Sequence, residues 1–377
     1  NDKVGLMSSL LYAISPVVIN YSRSSWNPNI VPFFTCLLIL LLLEYAKSAN
    51  RKFLFLAGCM LGIGLQLHYL FSFLIVFSVL FIISNKLKEN IQKFAVIASG
   101  FFVCYLPFIL FELRHGFMNT SMILKFVFGS KDTGFEIGHF IGNAINVYMR
   151  IFQRLVTDNN VYLAVILVGM SLFMLFQLMK NKNTPENKIF LMWLTIPILL
   201  FGLYKKPIYD YYFGIIFPIP FLLAGVAVDW LNKRKVTLIV GILLITALFY
   251  VNWQSRPFLT VPNKQLAQTK EVSKFIFDKV KGQPFNFAIA TAQNSDHAYR
   301  YFFEIWGNKA VVLENKMVDP ERKTVTDQLF IICELVECNV LGNPLWEIAG
   351  FGRADIENHW KVSVLDIFKL VPYKGSI

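Results

Sequence analysis

Apolar runs of membrane-crossing length, joined by loops of sharply contrasting character, constrain this chain more than any other feature. A helix needs about 20 mostly apolar residues to cross a hydrocarbon core. Candidate runs lie near 4–20, 30–45, 53–67, 69–84, 94–111, 160–179, 188–204, 210–230 and 236–252. The short connections "EYAKSANRK" (44–52), "NKLKENIQK" (85–93), "MKNKNTPENK" (179–188) and "NKRK" (232–235) are rich in lysine. They follow the second, fourth, sixth and eighth runs, so all four fall on one side, and the excess of basic residues makes that side cytoplasmic. A missed helix would scatter the lysines over both faces. The sequence therefore predicts an α-helical polytopic membrane bundle of about nine spans.

Composition agrees. With 55% hydrophobic and 16% charged residues, the chain is too apolar for a soluble protein of 377 residues. The net charge of +12 is carried largely by the cytoplasmic lysines and does not imply nucleic-acid binding. The chain starts at Asn1 without a signal peptide and enters an apolar run at once, so further helices are expected upstream. Cys36, Cys59 and Cys104 lie in apolar runs and read as packing residues.

The opposite face holds "YSRSSWNPN", the break at "QLHYL" (66–70), the connection 112–159, "YKKPIYDYY" (204–212) and everything after about 253. We expect residues 1–252 to form the membrane module and 253–377 an extracytoplasmic α/β domain. In the latter, 285–291, 310–315, 327–335 and 361–370 read as strands, and 263–280 and 296–307 as helices, the second capped by Ser295 or Asp296. Cys333 and Cys338 would be open to a local disulfide on an oxidising side; two reduced thiols is the simpler alternative.

Four clusters on that face carry chemistry. In "YSRSSWNPNIVPFF", Asn27-Pro28-Asn29 starts a helix, and Tyr21 and Trp26 suit a membrane interface. Arg23 beside two carboxamides can receive a phosphate bidentately; an ordinary outer loop is the plain alternative. His68 interrupts an apolar stretch running from 53 to 84. With Gln66 and Tyr69 it either lines an outward pocket or is bonded inside the bundle. Glu112, Arg114 and His115 end the fifth run, as a local Glu–Arg pair or as cavity groups. The following 138–156 is amphipathic, with Arg150 and Arg154 one turn apart, and could lie flat on the membrane. Lys205 and Lys206 stand against the lysine asymmetry and suggest an anionic ligand such as a headgroup phosphate. Tyr209, Tyr211 and Tyr212 are belt or cavity aromatics, and Asp210 is the only acid beside them. Together these describe a polar, basic, aromatic cavity opening outward.

The runs "ISPVVINYSRSSWNPNIVPFF", "LFLAGCMLGIGLQLHYLF", "LPFILFELRHGF" and "YYFGIIFPIPFLLAG" resemble membrane glycosyltransferases of the type C fold, bacterial relatives of dolichyl-phosphate-mannose protein mannosyltransferases and of the aminoarabinose lipid A transferase. The resemblance covers roughly 4–252. It implies an enzyme that moves a sugar from a polyprenyl-phosphate donor to an acceptor hydroxyl on lipid, protein or glycan at the extracytoplasmic face, with inversion. A carboxylate would act as general base, and basic residues, sometimes with a metal, would steady the leaving phosphate. The family's catalytic aspartate is expected upstream of Asn1, and where several relatives carry an acid at the "WNPN" turn this chain has Asn27 and Asn29. The resemblance makes Arg23, Asn27, Asn29, His68, Tyr69, Lys205, Lys206, Tyr209 and Tyr211 donor-binding residues, with Trp26, Gln66, Glu112, Arg114, His115 and Asp210 as cavity candidates. The sequence indicates no metal ligand set and no nucleic-acid partner; the expected partners are the lipid-linked sugar, the acceptor and membrane lipids. Two other classes stay open. A polymerase or ligase of the O-antigen type would use paired arginines such as Arg150 and Arg154. A transporter or non-catalytic scaffold would show inverted repeats and polar groups at mid-membrane.

Overall fold

The computed structural model describes residues 2–84, 90–129, 136–180, 184–233, 235–292 and 294–375. Parts of three lysine-rich loops, at 85–89, 181–183 and 234, lie outside the described residues. The chain folds as two units, Asn1–Thr260 and Val261–Ile377.

The first unit is helical: α1 (Asp2–Ile14), α2 (Pro16–Ser22), α3 (Val31–Ser48), α4 (Arg51–Leu67), α5 (Ser72–Ile83), α6 (Asn90–Arg114), α7 (Met118–Leu124), α8 (Ile137–Leu155), α9 (Val161–Lys180), α10 (Pro185–Gly202), α11 (Pro218–Asn232) and α12 (Lys235–Gln254). Phenylalanines fill its centre: Phe71, Phe77, Phe152, Phe201, Phe213 and Phe221 are fully buried. Glycine sets the closest helix pair. A Cβ on Gly58 of α4 would stand 2.0 Å from the Ile97 carbonyl oxygen of α6, and one on Gly100 of α6 would stand 2.0 Å from that of Phe55. Small residues let two apolar helices approach to backbone contact, where dispersion and close packing replace the hydrophobic force that lipid removes.

Helix length supports the expectation of nine spans only in part. Among the described residues, four stretches are long and apolar enough to cross a membrane: Asn27–Ser48, Ile91–Arg114, Val161–Lys180 and Lys235–Leu259. The pair α1 and α2 would add a fifth, but it bends by 69° at Ser15-Pro16, where Pro16 begins the second helix and cannot donate back into the first. The remaining runs do form helices, shortened by breaks. Tyr69–Ile83 and Pro218–Asn232 are apolar but short, and α10 opens on the polar residues Glu186, Asn187 and Lys188.

Three of the four lysine-rich connections, 44–52, 85–93 and 179–188, meet at one end of this bundle. Lys47 Nζ lies 3.7 Å from the Glu186 carboxylate, Lys188 Nζ donates to the Ser84 carbonyl at 2.8 Å, and Arg51 donates to Gln92 at 2.7 Å.

The second unit has α13 (Gln265–Val280), β1 (Asn286–Ala290), α14 (His297–Ile305), β2 (Leu329–Cys333), α15 (Trp346–Ala349), β3 (Ala354–Val362) and β4 (Leu365–Pro372). The sheet order is β1-β2-β4-β3. Strands β1 and β2 pair in parallel, and β4 runs antiparallel to both its neighbours. Every residue of β1 and β2 is buried, which is why both read as continuous apolar runs rather than alternating ones. Two expectations are corrected here. The 310–315 run makes only an isolated bridge, Asn286 to Val311. The 361–370 run is not one strand but the end of β3, a turn with Ser363 at φ 56°, and β4. Asp296 occupies the cap position of α14 without a capping hydrogen bond; its carboxylate pairs with Arg300 instead. Cys333 and Cys338 form a disulfide with Cα atoms 6.2 Å apart.

Candidate functional site

Where α4 gives way to α5, His68 takes an extended backbone and its Nδ1 accepts from the Leu70 amide at 3.2 Å. A neutral ring with Nδ1 so occupied carries its proton on Nε2. Two tyrosines from a distant loop stand against it, Tyr211 at 5.9 Å and Tyr212 at 5.5 Å between ring centroids. Tyr211 also packs on Trp26 at 4.6 Å and Tyr212 on Tyr204 at 6.0 Å. These rings line a pocket of about 570 Å³ whose wall includes Trp26, Asn27, Gln66, His68, Tyr69, Phe126, Phe201, Tyr204, Tyr211 and Tyr212. The loops that build it connect the helices at their ends away from the lysine cluster.

Six of the predicted residues thus converge: Trp26, Asn27, Gln66, His68, Tyr69 and Tyr211. Phe126 and Phe201 are additions that no motif marks, and Tyr204 and Tyr212 join from the tyrosine-rich "YKKPIYDYY" run. Gln66 is partly committed, since its amide nitrogen donates to the Gly62 and Cys104 carbonyls at 3.0 and 2.9 Å and so ties α4 to α6.

The cationic part of the expected cavity is not in the wall, which among the described residues holds no lysine, arginine or carboxylate. Arg23 is exposed at the turn before Trp26. Lys205 pairs with Glu136 at 3.5 Å, and Lys206 follows it in the same loop. Asn29 braces its own turn by donating to the Ser24 carbonyl at 2.9 Å. Tyr209 stacks on Tyr211 at 5.8 Å and 10° without joining the wall.

Asp210 and Glu112 are both occupied elsewhere. Arg150 and Arg154 of α8 each reach one Asp210 oxygen at 2.7 Å, and Arg150 also donates to the Ile208 carbonyl at 2.8 Å. Further along the same helix face, Asn143 donates to the Tyr204 carbonyl at 2.5 Å. One face of α8 therefore holds the tyrosine loop along its length, while Val147, Ile151, Phe152 and Leu155 anchor the helix in the core. Glu112 does not pair with Arg114. Its buried carboxylate accepts from the amides of Asn119 and Thr120 at 3.3 and 2.8 Å and from the Asn119 side chain at 2.8 Å, which satisfies the first turn of α7 from outside the helix. Arg114 is exposed, and His115 stacks on Phe111 at 4.0 Å.

Residues 1–111 match the dolichyl-phosphate-mannose-protein mannosyltransferase family. Over this stretch the chain is similar to membrane glycosyltransferases, and the matched stretch supplies the Trp26, Asn27, Gln66, His68 and Tyr69 side of the pocket. The opposing wall, from Phe126 to Tyr212, lies beyond it. No curated protein matches the chain. Among the described residues no three His, Cys, Asp or Glu side chains are grouped to hold a metal ion.

Proposed function

We propose that the chain is a membrane glycosyltransferase whose pocket receives the sugar of a polyprenyl-phosphate donor at the extracytoplasmic face, for inverting transfer to an acceptor hydroxyl. The similarity of residues 1–111 to the mannosyltransferase family supports the reaction class. The observation that carries the site is the pocket itself: a ring of tyrosines, a tryptophan and a neutral-capable histidine at the end of the bundle remote from the lysines. Aromatic faces take the C–H faces of a sugar, while tyrosine hydroxyls, Asn27 and the His68 ring bond its hydroxyls. Arg23 and Lys206 flank this wall in sequence and would meet the phosphate at the rim. No carboxylate lines the wall among the described residues, so these side chains bind and orient, and proton removal from the acceptor belongs to a group outside the wall. The disulfide in the second unit supports an extracytoplasmic location for it, since such bonds persist in oxidising compartments. Arg150 and Arg154 are engaged with Asp210, which weakens the polymerase or ligase reading.

The test uses the protein in vesicles with a polyprenyl-phosphate hexose as probe. Tyr211→Ala is expected to lower kcat/KM about tenfold, about 1.4 kcal/mol of lost binding. His68→Ala is expected to do the same, and Tyr250→Ala, outside the pocket, to change nothing. Donor binding that is unmoved by both pocket variants would overturn this placement.

A further inference from the structure

Helix α7 has no buried residue, although its sequence, MNTSMIL, is largely apolar. Around it, Phe117, Met118, Met122 (64% exposed) and Phe128 (83% exposed) all face outward, and Ile137, Ile141 and Ile145 form an exposed row at one-turn spacing on α8. A surface of this size and apolarity is not left to water.

Its position says what covers it. The exposed apolar face begins on α6, with Val103, Leu106, Leu110 and Leu113, in a stretch long and apolar enough to cross a membrane. Lipid covers that face of α6. The chain then turns within Arg114–Phe117, with Gly116 at φ 67° and Phe117 at φ 58°, and the turn is closed by the Phe117 amide bonding to the Glu112 carbonyl at 2.8 Å. The Glu112 carboxylate holds the first turn of α7 at the same corner. So α7 leaves α6 at the level where the span ends, and after the turn at Arg114–Gly116 exposed apolar residues resume at Phe117 and Met118. Charge agrees: from 113 to 129 the chain has Arg114 and Lys125 and no acidic residue, as a segment against anionic headgroups requires.

We infer that Phe117–Phe128 and the first half of α8 form an apron inserted into the bilayer interface, next to the lipid-covered face of α6. The apron borders the pocket, because Phe126 lines it. The inference rests on α6 crossing the membrane and not on the proposed reaction.

The experiment replaces Cys36, Cys59 and Cys104 by Ser in the full chain and attaches an environment-sensitive nitrobenzoxadiazole label at Met122→Cys, at Ile141→Cys, or at Met317→Cys as the water-exposed reference. The protein is placed in vesicles of phosphatidylcholine and phosphatidylglycerol. Labels at Met122 and Ile141 are expected to be quenched by lipid carrying a nitroxide near the headgroup, and to be reduced by dithionite about tenfold more slowly than the reference, as burial of some 5–10 Å implies. Reduction at the reference rate would show a water-facing segment and overturn the inference. Protection from dithionite without lipid quenching would show a protein partner, such as a second copy, and overturn it too. The two labelled positions lie on different helices, so misfolding at one leaves the other decisive.

Discussion

Asp319 in the second unit shows how much a single half-buried loop side chain can order. Its carboxylate accepts from the Thr324 amide and hydroxyl at 2.7 Å each and from the Lys323 amide at 2.9 Å. These bonds, the Thr324 hydroxyl first, hold its pKa below the ordinary aspartate value. A carboxyl with a depressed folded-state pKa contributes stability above its unfolded value of about 3.9, and that contribution is lost as pH falls through the folded value. The loop should therefore loosen only in acid. Below about pH 4, amide exchange at Thr324 is expected to rise above the intrinsic pH trend in the natural protein. In Asp319→Asn the protection should be lower at neutral pH and nearly independent of pH. Equal pH profiles for the two would remove this role. The same loop is tied to β1 through Asn286, whose side chain donates to the Val311 and Thr324 carbonyls at 3.0 and 2.9 Å. That bonding explains why 310–315, apolar as it is, stays beside β1 as a tethered segment instead of pairing as a strand. No sequence period reports such a tether.

Among the elements, α4 and α6 are the pair whose contact is most tightly specified. Gly58 and Gly62 of α4 stand four apart, and an added Cβ on either would meet α6 backbone, Ile97 oxygen at 2.0 Å and Phe101 oxygen at 2.5 Å. Backbone cannot move aside as a side-chain tip can, so Gly58→Leu should destabilise the helix pair by about 2–3 kcal/mol or more. The check is the yield of detergent-stable, monodisperse protein and its unfolding temperature, with Gly169→Leu as control, since nothing lies within 4 Å of a Cβ there. Wild-type behaviour of Gly58→Leu would mean that the two helices are not in backbone contact. Sequence reading reaches elements of this kind when one period dominates. The apolar runs placed α3, α6, α9 and α12, and the fully buried β1 and β2 stood out as short apolar blocks. It fails where burial is mixed. Strand β3 is mostly exposed and carries no alternation to mark it, as suits a polar sheet edge. At the pocket, His68, Tyr69 and Trp26 were legible because polar or interfacial groups broke apolar runs. Phe126 and Phe201 were not, because a phenylalanine in a hydrophobic run looks the same whether it lines a cavity or fills a core.

On the scale of the whole chain, the lysine loops and the aromatic pocket mark opposite ends of the helical unit, and the open matter is how many helices separate them across the bilayer. Helix α4 decides it. It has 17 residues, which at about 1.5 Å each gives about 26 Å against a hydrocarbon core of about 30 Å. Taken alone it falls short. Yet it begins at Arg51 among the lysines and ends at His68 in the pocket, and both flanks can reach an interface: Arg51 and Lys52 by snorkelling, Tyr69 by its amphipathic ring. A crossing α4 puts Lys52 and Tyr69 on opposite sides. If only the four long stretches cross, no crossing separates the two residues, and they share a side. Whether all nine runs cross or only the four long stretches do, Lys52 and Met317 are separated by an odd number of crossings, so that pair alone cannot discriminate. In a chain with the three free cysteines removed, Tyr69→Cys and Met317→Cys are expected to react with an impermeant maleimide added to intact cells, and Lys52→Cys only after detergent. If Tyr69→Cys also needs detergent, α4 does not cross, the pocket opens toward the cytoplasm, and a donor presented outside could not reach it.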